Sequence, residues 1–476
     1  MTASDIFLEF NFNLIRTMNP ENSSNLFTEF DPSTTQEWVD EIVKTLKGQG
    51  IQSLTTATYE GIDLLPFYAP EDATEPFLSP NDFSKPQHWQ NREIIRVEEQ
   101  DSAQVLAQEA QSFGADFLHF DLRPAKDVNI SRLLDRVDIT TCPLGFIVRQ
   151  PLSDLLPQLS HYPSVATVDY DFLGDWTRHG QISEDHWQDM HALLNWADQR
   201  EHCRVVVVNG GHFHHAGANV VQELAFSTAL AVNYLDKLSD MGFSPAQIMA
   251  KMEFSLWVGS HYFLEIAKFR AMRLIWKQIQ QQFQVSENPI FIHARNSLVN
   301  KTLSDPYNNM LRATTEAMSA VVGGSDALTI DPYDVLFSKT DSFSRRIARN
   351  VSAILREEAH LDKVTDPSAG AYYLEELTSQ LAERAWNLFR EVESQGGFIS
   401  AFQQGFIQNE IEQVTELKRQ QVREGKNVIV GTNQFQNKAE TVNFPASEPN
   451  TPLQSGLRLL HPFRLAEDVE RERFAR

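Results

Sequence analysis

The densest group of reactive side chains lies in VVVVNGGHFHHAGAN, residues 205–219, where His212, His214 and His215 fall close together. Imidazoles ligate transition metals, and they also move protons near neutral pH. A zinc site needs three or four ligands converging on one point. His212 and His214 point the same way only on an extended chain. Gly210 and Gly211 before them and Ala216-Gly217-Ala218 after them predict instead a turn into a helix. Histidines held by ordinary hydrogen bonds therefore compete with a metal site. No HExxH, GxxxxGK[ST], GxSxG or post-strand GxGxxG accompanies them. Cys142 and Cys203 show no CxxC spacing.

Other polar residues stand where β-rich runs end. Asp169 and Asp171 close VATVDYDF (165–172), and His261 follows MEFSLWV (252–258). His293 lies near the end of IFIHA (290–294) and Arg295 directly follows it, and Asp331 and Asp334 follow ALTI (327–330). With IIRVEE (94–99), FLHFDL (117–122), LGFIV (144–148) and VVVV (205–208), the runs number eight. Most are separated by a helix-length segment, such as DSAQVLAQEAQSFG or SEDHWQDMHALLNWADQ. Alternation of this kind predicts parallel strands joined by right-handed crossovers. Eight strands over about 250 residues fit a (β/α)8 TIM barrel, with a doubly wound open sheet as the competitor. In such a barrel the site lies where strands end and helices begin. His119, in HFDLRP, reads as a core histidine.

Outside the barrel, residues 1–35 read as an irregular arm. TTQEWVDEIVKTLKG (34–48) reads as an amphipathic helix with Trp38, Ile42 and Leu46 on one face and Gly48 at its end. Residues 60–89 read as a Pro-rich connector. Asp305 and Pro306 predict a helix start running to Gly323-Gly324. Its N-terminus at the barrel mouth would suit an anion, though nothing requires one. Two helices follow, with core-facing stripes Ile347, Val351, Ile354, Leu355 and Leu374, Leu377, Leu381, Ala385, Leu388, Val392. Gly396-Gly397 ends the second, and a charged helix, LAEDVERERFAR, ends the chain.

The 476 residues carry a net charge of −23, with 42% hydrophobic and 22% charged residues. That acidity disfavours nucleic acid and anionic lipid as partners. Two cysteines without a disulfide framework suggest a reducing compartment. Asp5 and Glu9 stand where a signal peptide carries positive charge, and no apolar run has transmembrane length. The expected place is the cytoplasm.

Four long runs resemble the methylmalonyl-CoA mutase family, the adenosylcobalamin-dependent acyl-CoA mutases. They are FLEIAKFRAMRLIW (263–276), DPYNNMLRATTEAMSAVVGGSDAL (305–328), residues 343–398 and VGTNQFQNKAE (430–440). LFTEFDPSTTQEWVDEIVKTLKG and EGIDLLPFYAPED resemble the N-terminal region of the family's small subunits. The resemblance implies a barrel whose axis the acyl-CoA threads, and isomerisation of methylmalonyl-CoA to succinyl-CoA. It also implies which residues matter. NGGHFHHAGA matches a catalytic pattern like SGYHMQEAGA, which puts His212 at the active-site histidine and Gly211 at the preceding Tyr. TVDYD matches TIQND, with Asp169 in place of a Gln. A substrate-contacting Arg aligns with His179, beside Arg178. HARNSL matches HxQTSG, keeping His293 but placing Arg295, Asn296 and Leu298 at the Gln, Thr and Gly. The loops like RGPYxTMY and RPWTIRQ have no counterpart, since residues 77–97 read FLSPNDFSKPQHWQNREIIRV. The cobalamin loop DxHxxG is absent, and the chain reaches residue 476 without a flavodoxin-like cobalamin domain.

Together these departures imply a small, non-catalytic subunit of a heterodimeric mutase. It would bind no cofactor itself, adenosylcobalamin residing in a larger catalytic partner, and His212 would be vestigial. The division expected is a partner-wrapping arm and connector (1–92), a barrel with appended helices (93–429) and a tail (430–476). One alternative is a substrate-binding chain that works with a separate cobalamin protein, motivated by His212. Another is a repurposed barrel with some other small-molecule or metal role, motivated by the three histidines.

Overall fold

The structure, a computed structural model, describes residues 34–69, 72, 78–83, 88–125, 127–149, 151–337, 341–442, 444 and 456–474. Nearly all of the arm at residues 1–35, and parts of the connector at 60–89 and the tail at 430–476, lie outside these residues. The chain forms two compact units, Met1–Ala57 with Asp63–Ala69, and Thr58–Ile62 with Pro70–Arg476.

In the smaller unit, helix α1 (Thr35–Thr45) opens on a reciprocal cap between Thr34 and Glu37. Each accepts the other's backbone N–H, which satisfies two donors that the helix leaves free. Trp38, Ile42 and Leu46 form the expected stripe and are half-buried. Trp38 packs 4.7 Å from Phe67, and Thr56–Ala57 pairs antiparallel with Asp63–Leu64.

The larger unit is built on eight parallel strands. These are β1 (Gln90–Arg96), β2 (Phe117–Asp121), β3 (Leu144–Ile147), β4 (Val165–Asp169), β5 (Val206–Asn209), β6 (Met252–Val258), β7 (Ile292–Asn296) and β8 (Ala327–Thr329). Hydrogen bonding runs β4-β3-β2-β1-β8-β7-β6-β5. A parallel bridge between Thr167 and Arg204, with Val168 N–H on the Arg204 carbonyl at 3.0 Å, joins β4 to the residues leading into β5. The arrangement is the (β/α)8 barrel rather than the open sheet. Among the described residues no flavodoxin-like domain is added. The strands read as continuous apolar runs because both faces are covered, helices outside and side chains within.

Helices follow the strands. α2 (Gln100–Ser112), α3 (Ile130–Leu134) and α4 (Leu155–Leu159) follow β1, β2 and β3. α5 (Phe172–His179) and α6 (Glu184–Asp198) follow β4, and α7 (Gly211–His214), α8 (Val220–Asp240) and α9 (Pro245–Ala250) follow β5. α10 (Tyr262–Gln282), α11 (Asn308–Val322) and α12 (Ser342–Glu357) follow β6, β7 and β8. α13 (Tyr372–Ser394), α14 (Gly397–Gln403), α15 (Phe406–Arg423) and α16 (Glu467–Phe474) complete the unit. Gly396 and Gly397, at φ 92° and 83°, end α13 as expected.

Two sequence expectations need correction. Asp305 does not cap α11, which starts at Asn308. Asp305 takes a left-handed φ of 46°, its N–H donates to Glu440 at 2.5 Å, and its carboxylate accepts from Asn308. These bonds hold it in a turn before the helix. On α12, Ile354 is 48% exposed, while Ser344, Arg349 and Ser352 share the buried face with Val351 and Leu355. The cause is Glu93 on β1, which binds Arg345 and Arg349 and turns that side of the helix inward.

Candidate functional site

Alternation along the strands fills the barrel in layers. In the lowest, Arg92 of β1 forms a bidentate pair with Glu253 of β6, at 2.5 and 3.0 Å. Two strands separate β1 from β6, so the pair must lie inside the ring. Both side chains are buried, and Phe117 and Phe291 flank the guanidinium at 4.3 and 5.1 Å. An ion pair walled by aromatics therefore occupies the axis at this level.

The middle layer holds His119, Thr167, Ser255 and His293. A Cβ on Gly145 would lie 2.7 Å from carbons of both His119 and Thr167, so these chains meet where β3 has no side chain. His293 bonds Thr329 at 2.8 Å. Burial first, then the Arg92 charge, hold both histidines well below the usual imidazole pKa, so they are neutral at pH 7. The core reading of His119 agrees with its place.

The C-terminal mouth gathers several expected residues, but in separate contacts. His212 Nε2 lies 3.5 Å from the Asp171 carboxylate. Asp171 caps α5 and also accepts from Tyr234 Oη at 2.9 Å and the Asn209 N–H at 3.1 Å. Gly174 lets this close approach happen, since a Cβ there would meet Asp171 and His212 atoms within 2.6 Å. His212 is buried, and its Nδ1 has no hydrogen-bond partner among the described residues. A histidine oriented by a carboxylate is the minimal acid–base pair.

His214 and His215 diverge from it, because the chain does turn into α7 as expected. His214 spans Glu223 (3.1 Å) and Ser297 (2.7 Å), while His215 lies edge-on to Trp257 with ring centres 4.1 Å apart. Among the described residues, no three His, Cys, Asp or Glu side chains group to hold a metal. Ser297–His214–Glu223 has the order of a hydrolytic triad. Ser297 and Glu223 are wholly buried, however, and Glu223 is shared with Lys268 and the Trp257 N–H. The chain of bonds is a structural tie.

Bidentate pairs ring the mouth. Arg123 binds Asp121, Arg149 binds Asp175, and Arg295 binds Asp331, each with contacts of 2.7–2.9 Å. His179, aligned with a substrate-contacting Arg, sits against Arg149 at 3.1 Å. Arg295 also stacks over Trp257, 4.4 Å from the ring centre. A Cβ on Gly211 would fall 2.1 Å from Trp257 Nε1, so this indole fills the space next to the glycine. His261 is exposed at the start of α10, and Asp334 lies half-buried beyond β8, neither in these pairs. Sequence reasoning did not single out Arg92, Glu253, Tyr234 or Trp257. Glu253 inside the apolar run MEFSLWV was the available signal; Arg92 gave none, because the first β-rich run reads as 94–99 whereas β1 begins at Gln90 with the polar residues QNRE.

Residues 165–471 match the family described as methylmalonyl-CoA mutase. A methylmalonyl-CoA mutase small subunit from Porphyromonas gingivalis is 36% identical over 451 residues, covering 88% of this chain and 72% of that one. The chain belongs to the methylmalonyl-CoA mutase family. A small subunit from Streptomyces virginiae is 30% identical over 451 residues, covering 88% of this chain and 73% of that one. Among solved structures, a Yersinia pestis dihydropteroate synthase aligns with a TM-score of 0.32 and 12% identity over 57% of this chain and 93% of that one, which carries no functional argument. No helix among the described residues is long and apolar enough to cross a membrane.

Asp169 is a carboxyl held far from its ordinary range in this site. Burial, then the adjacent Asp171 carboxylate, push it up to about 8, against the pull of Arg123. The folded state thus holds this proton more tightly than the unfolded state, and stability falls as pH rises from about 4 to about 8. Asp169→Asn is expected to stabilise the protein at about pH 9 and to change little near pH 3. Urea denaturation at both values checks this, and a variant that tracks the wild type at high pH refutes it.

Proposed function

We propose that this chain is the small, non-catalytic subunit of a heterodimeric methylmalonyl-CoA mutase. The larger partner would hold adenosylcobalamin and convert methylmalonyl-CoA to succinyl-CoA. The observation that carries the reading is the filled barrel, with Arg92–Glu253 across the axis and Trp257 in the space beside Gly211. An acyl-CoA that threads the axis would meet a buried ion pair. At the mouth, Arg123, Arg149 and Arg295 are already engaged by carboxylates, and Asp171 adds a further one beside His212. This residue set does not fit the anionic groups of an acyl-CoA or a corrinoid, so no catalytic step is routed through it. The small-subunit names of the relatives support the same reading.

The expected boundary at 92/93 shifts, because β1 begins at Gln90 and Arg92 lies inside the ring. In this reading the residues before 90 wrap the partner, 90–429 form the barrel and its appended helices, and 430–476 form a tail. The free, buried thiols of Cys142 and Cys203, pushed up to about 11 by burial, accord with a cytoplasmic setting.

A second reading makes this a substrate-binding chain that works with a separate cobalamin protein, and the Asp171–His212 pair favours it. One experiment separates the two. The purified chain should neither isomerise methylmalonyl-CoA nor bind adenosylcobalamin, alone or with a stand-alone cobalamin domain. It should copurify with a larger mutase chain, and His212→Ala should leave the kcat of that complex unchanged. Turnover by the chain without a larger mutase subunit, lost in His212→Ala, would establish the second reading.

A further inference from the structure

A cavity of about 350 Å³ opens at the opposite end of the barrel, beneath β5 and β6. Its walls include Arg204, Met249, Met252, Trp276, Ile290 and Phe291. They come from the approach to β5, from α9 and β6, from the end of α10 and from the loop before β7. Apart from Arg204 these give it an apolar wall, while Gln280, Ser286 and Asn288 join Arg204 in a larger polar share of its surface.

Arg204 is the charged exception. Its guanidinium stands 3.7 Å from the centre of the Phe291 ring. Arg92 borders the same ring at 5.1 Å, but Glu253 neutralises Arg92. Among the described residues Arg204 has neither an ion pair nor a side-chain hydrogen bond. Burial depresses its pKa against the opposing pull of the Glu253 and Asp326 carboxylates, neither of which pairs with it directly. The position is held firmly, because the Arg204 backbone makes the bridge to β4. A fixed guanidinium presents paired N–H donors that suit a carboxylate, and the cation–π contact leaves its edge free.

We propose that this cavity binds an organic carboxylate, with its head group on Arg204 and its hydrocarbon chain against Met249, Met252 and Trp276. The arrangement selects for charge and apolar length together. An alcohol of the same chain lacks the anion, and a short anion such as acetate lacks the apolar contact. The site is remote from the C-terminal mouth and does not depend on whether the chain is catalytic.

Octanoate is a suitable probe, with octan-1-ol as its uncharged match. Calorimetric titration of the full chain is expected to show saturable one-to-one binding of octanoate and weaker binding of octanol. Arg204→Met should weaken octanoate by about tenfold or more and erase the preference over octanol. Arg204→Lys should keep the preference. Ala250→Phe, at the rim of the cavity, should weaken both ligands while circular dichroism and Tm stay unchanged. Absence of saturable octanoate binding at millimolar concentration overturns the proposal. So does equal binding of octanoate and octanol by the wild type, or octanoate affinity that survives both Arg204→Met and Ala250→Phe.

Discussion

Glu253→Ala is expected to destabilise the protein by about 3–5 kcal/mol, because it strands the Arg92 guanidinium inside the barrel. Glu253 supplies both acceptors of a buried bidentate pair, and the remaining neighbours of Arg92 include two phenylalanine faces. A cation–π contact offsets about 0.5–2 kcal/mol at best, well short of the desolvation of a lone charge. The loss should therefore come from the uncompensated cation rather than from missing contact area. Arg92→Met combined with Glu253→Met removes both charges and keeps most of the volume. That double variant should recover most of the stability, since apolar replacement of a whole buried pair is often neutral or favourable. Urea denaturation of Arg92→Met, Glu253→Met and the double variant measures the coupling. A loss below about 1 kcal/mol for Glu253→Ala, or a double variant no better than the single, contradicts the account.

Lys268→Met should have a comparable effect with the opposite charge left behind. Lys268 is fully buried on α10 and lies 3.0 Å from Glu223 and 2.5 Å from Glu265, with the Trp257 carbonyl as a third partner. Burial alone would raise the Glu223 pKa; Lys268 and His214 overcome it and bring it down to about 2. With a folded pKa below the unfolded value, Glu223 contributes stability at neutral pH and loses it as pH falls from about 4.5 towards about 2. Removal of the lysine should cost about 3–5 kcal/mol at pH 7. The deficit should shrink in acid, where the buried Glu223 carboxyl, no longer held down by the lysine, can take up a proton. Denaturation at about pH 7 and about pH 4 tests the sign: a deficit that grows in acid means that the carboxylates are not its source.

The barrel was legible because its strands are apolar runs spaced by helix-length segments, and β6 matches its sequence run residue for residue. The turn after β5 was legible too, from the glycines around the histidines. The residues that give the interior its character were not. Arg92 and Glu253 lie 161 positions apart, and nothing local in either strand names the other. Glu223 and Lys268 look like ordinary polar positions of long helices until α8 and α10 pack together. Ile354 misled for the converse reason, since an apolar stripe marks the core only when no buried charge competes for that face. Asp305 shows the same limit at a helix end, where Glu440, far along the chain, overrides a sound local signal.

Gly211 and Trp257 form a lock with a direction. The family's catalytic pattern carries a tyrosine before the histidine, but here the indole already occupies the volume that any Cβ at 211 would need. Restoring the tyrosine alone produces a collision, and shrinking Trp257 alone leaves a hole and strips Asn209 and Arg295 of a neighbour. Each single step back is uphill, and only the two together lead anywhere. Positions 211 and 257 therefore behave as one unit of variation: the volume they share can be redistributed between them, but neither can be altered without the other.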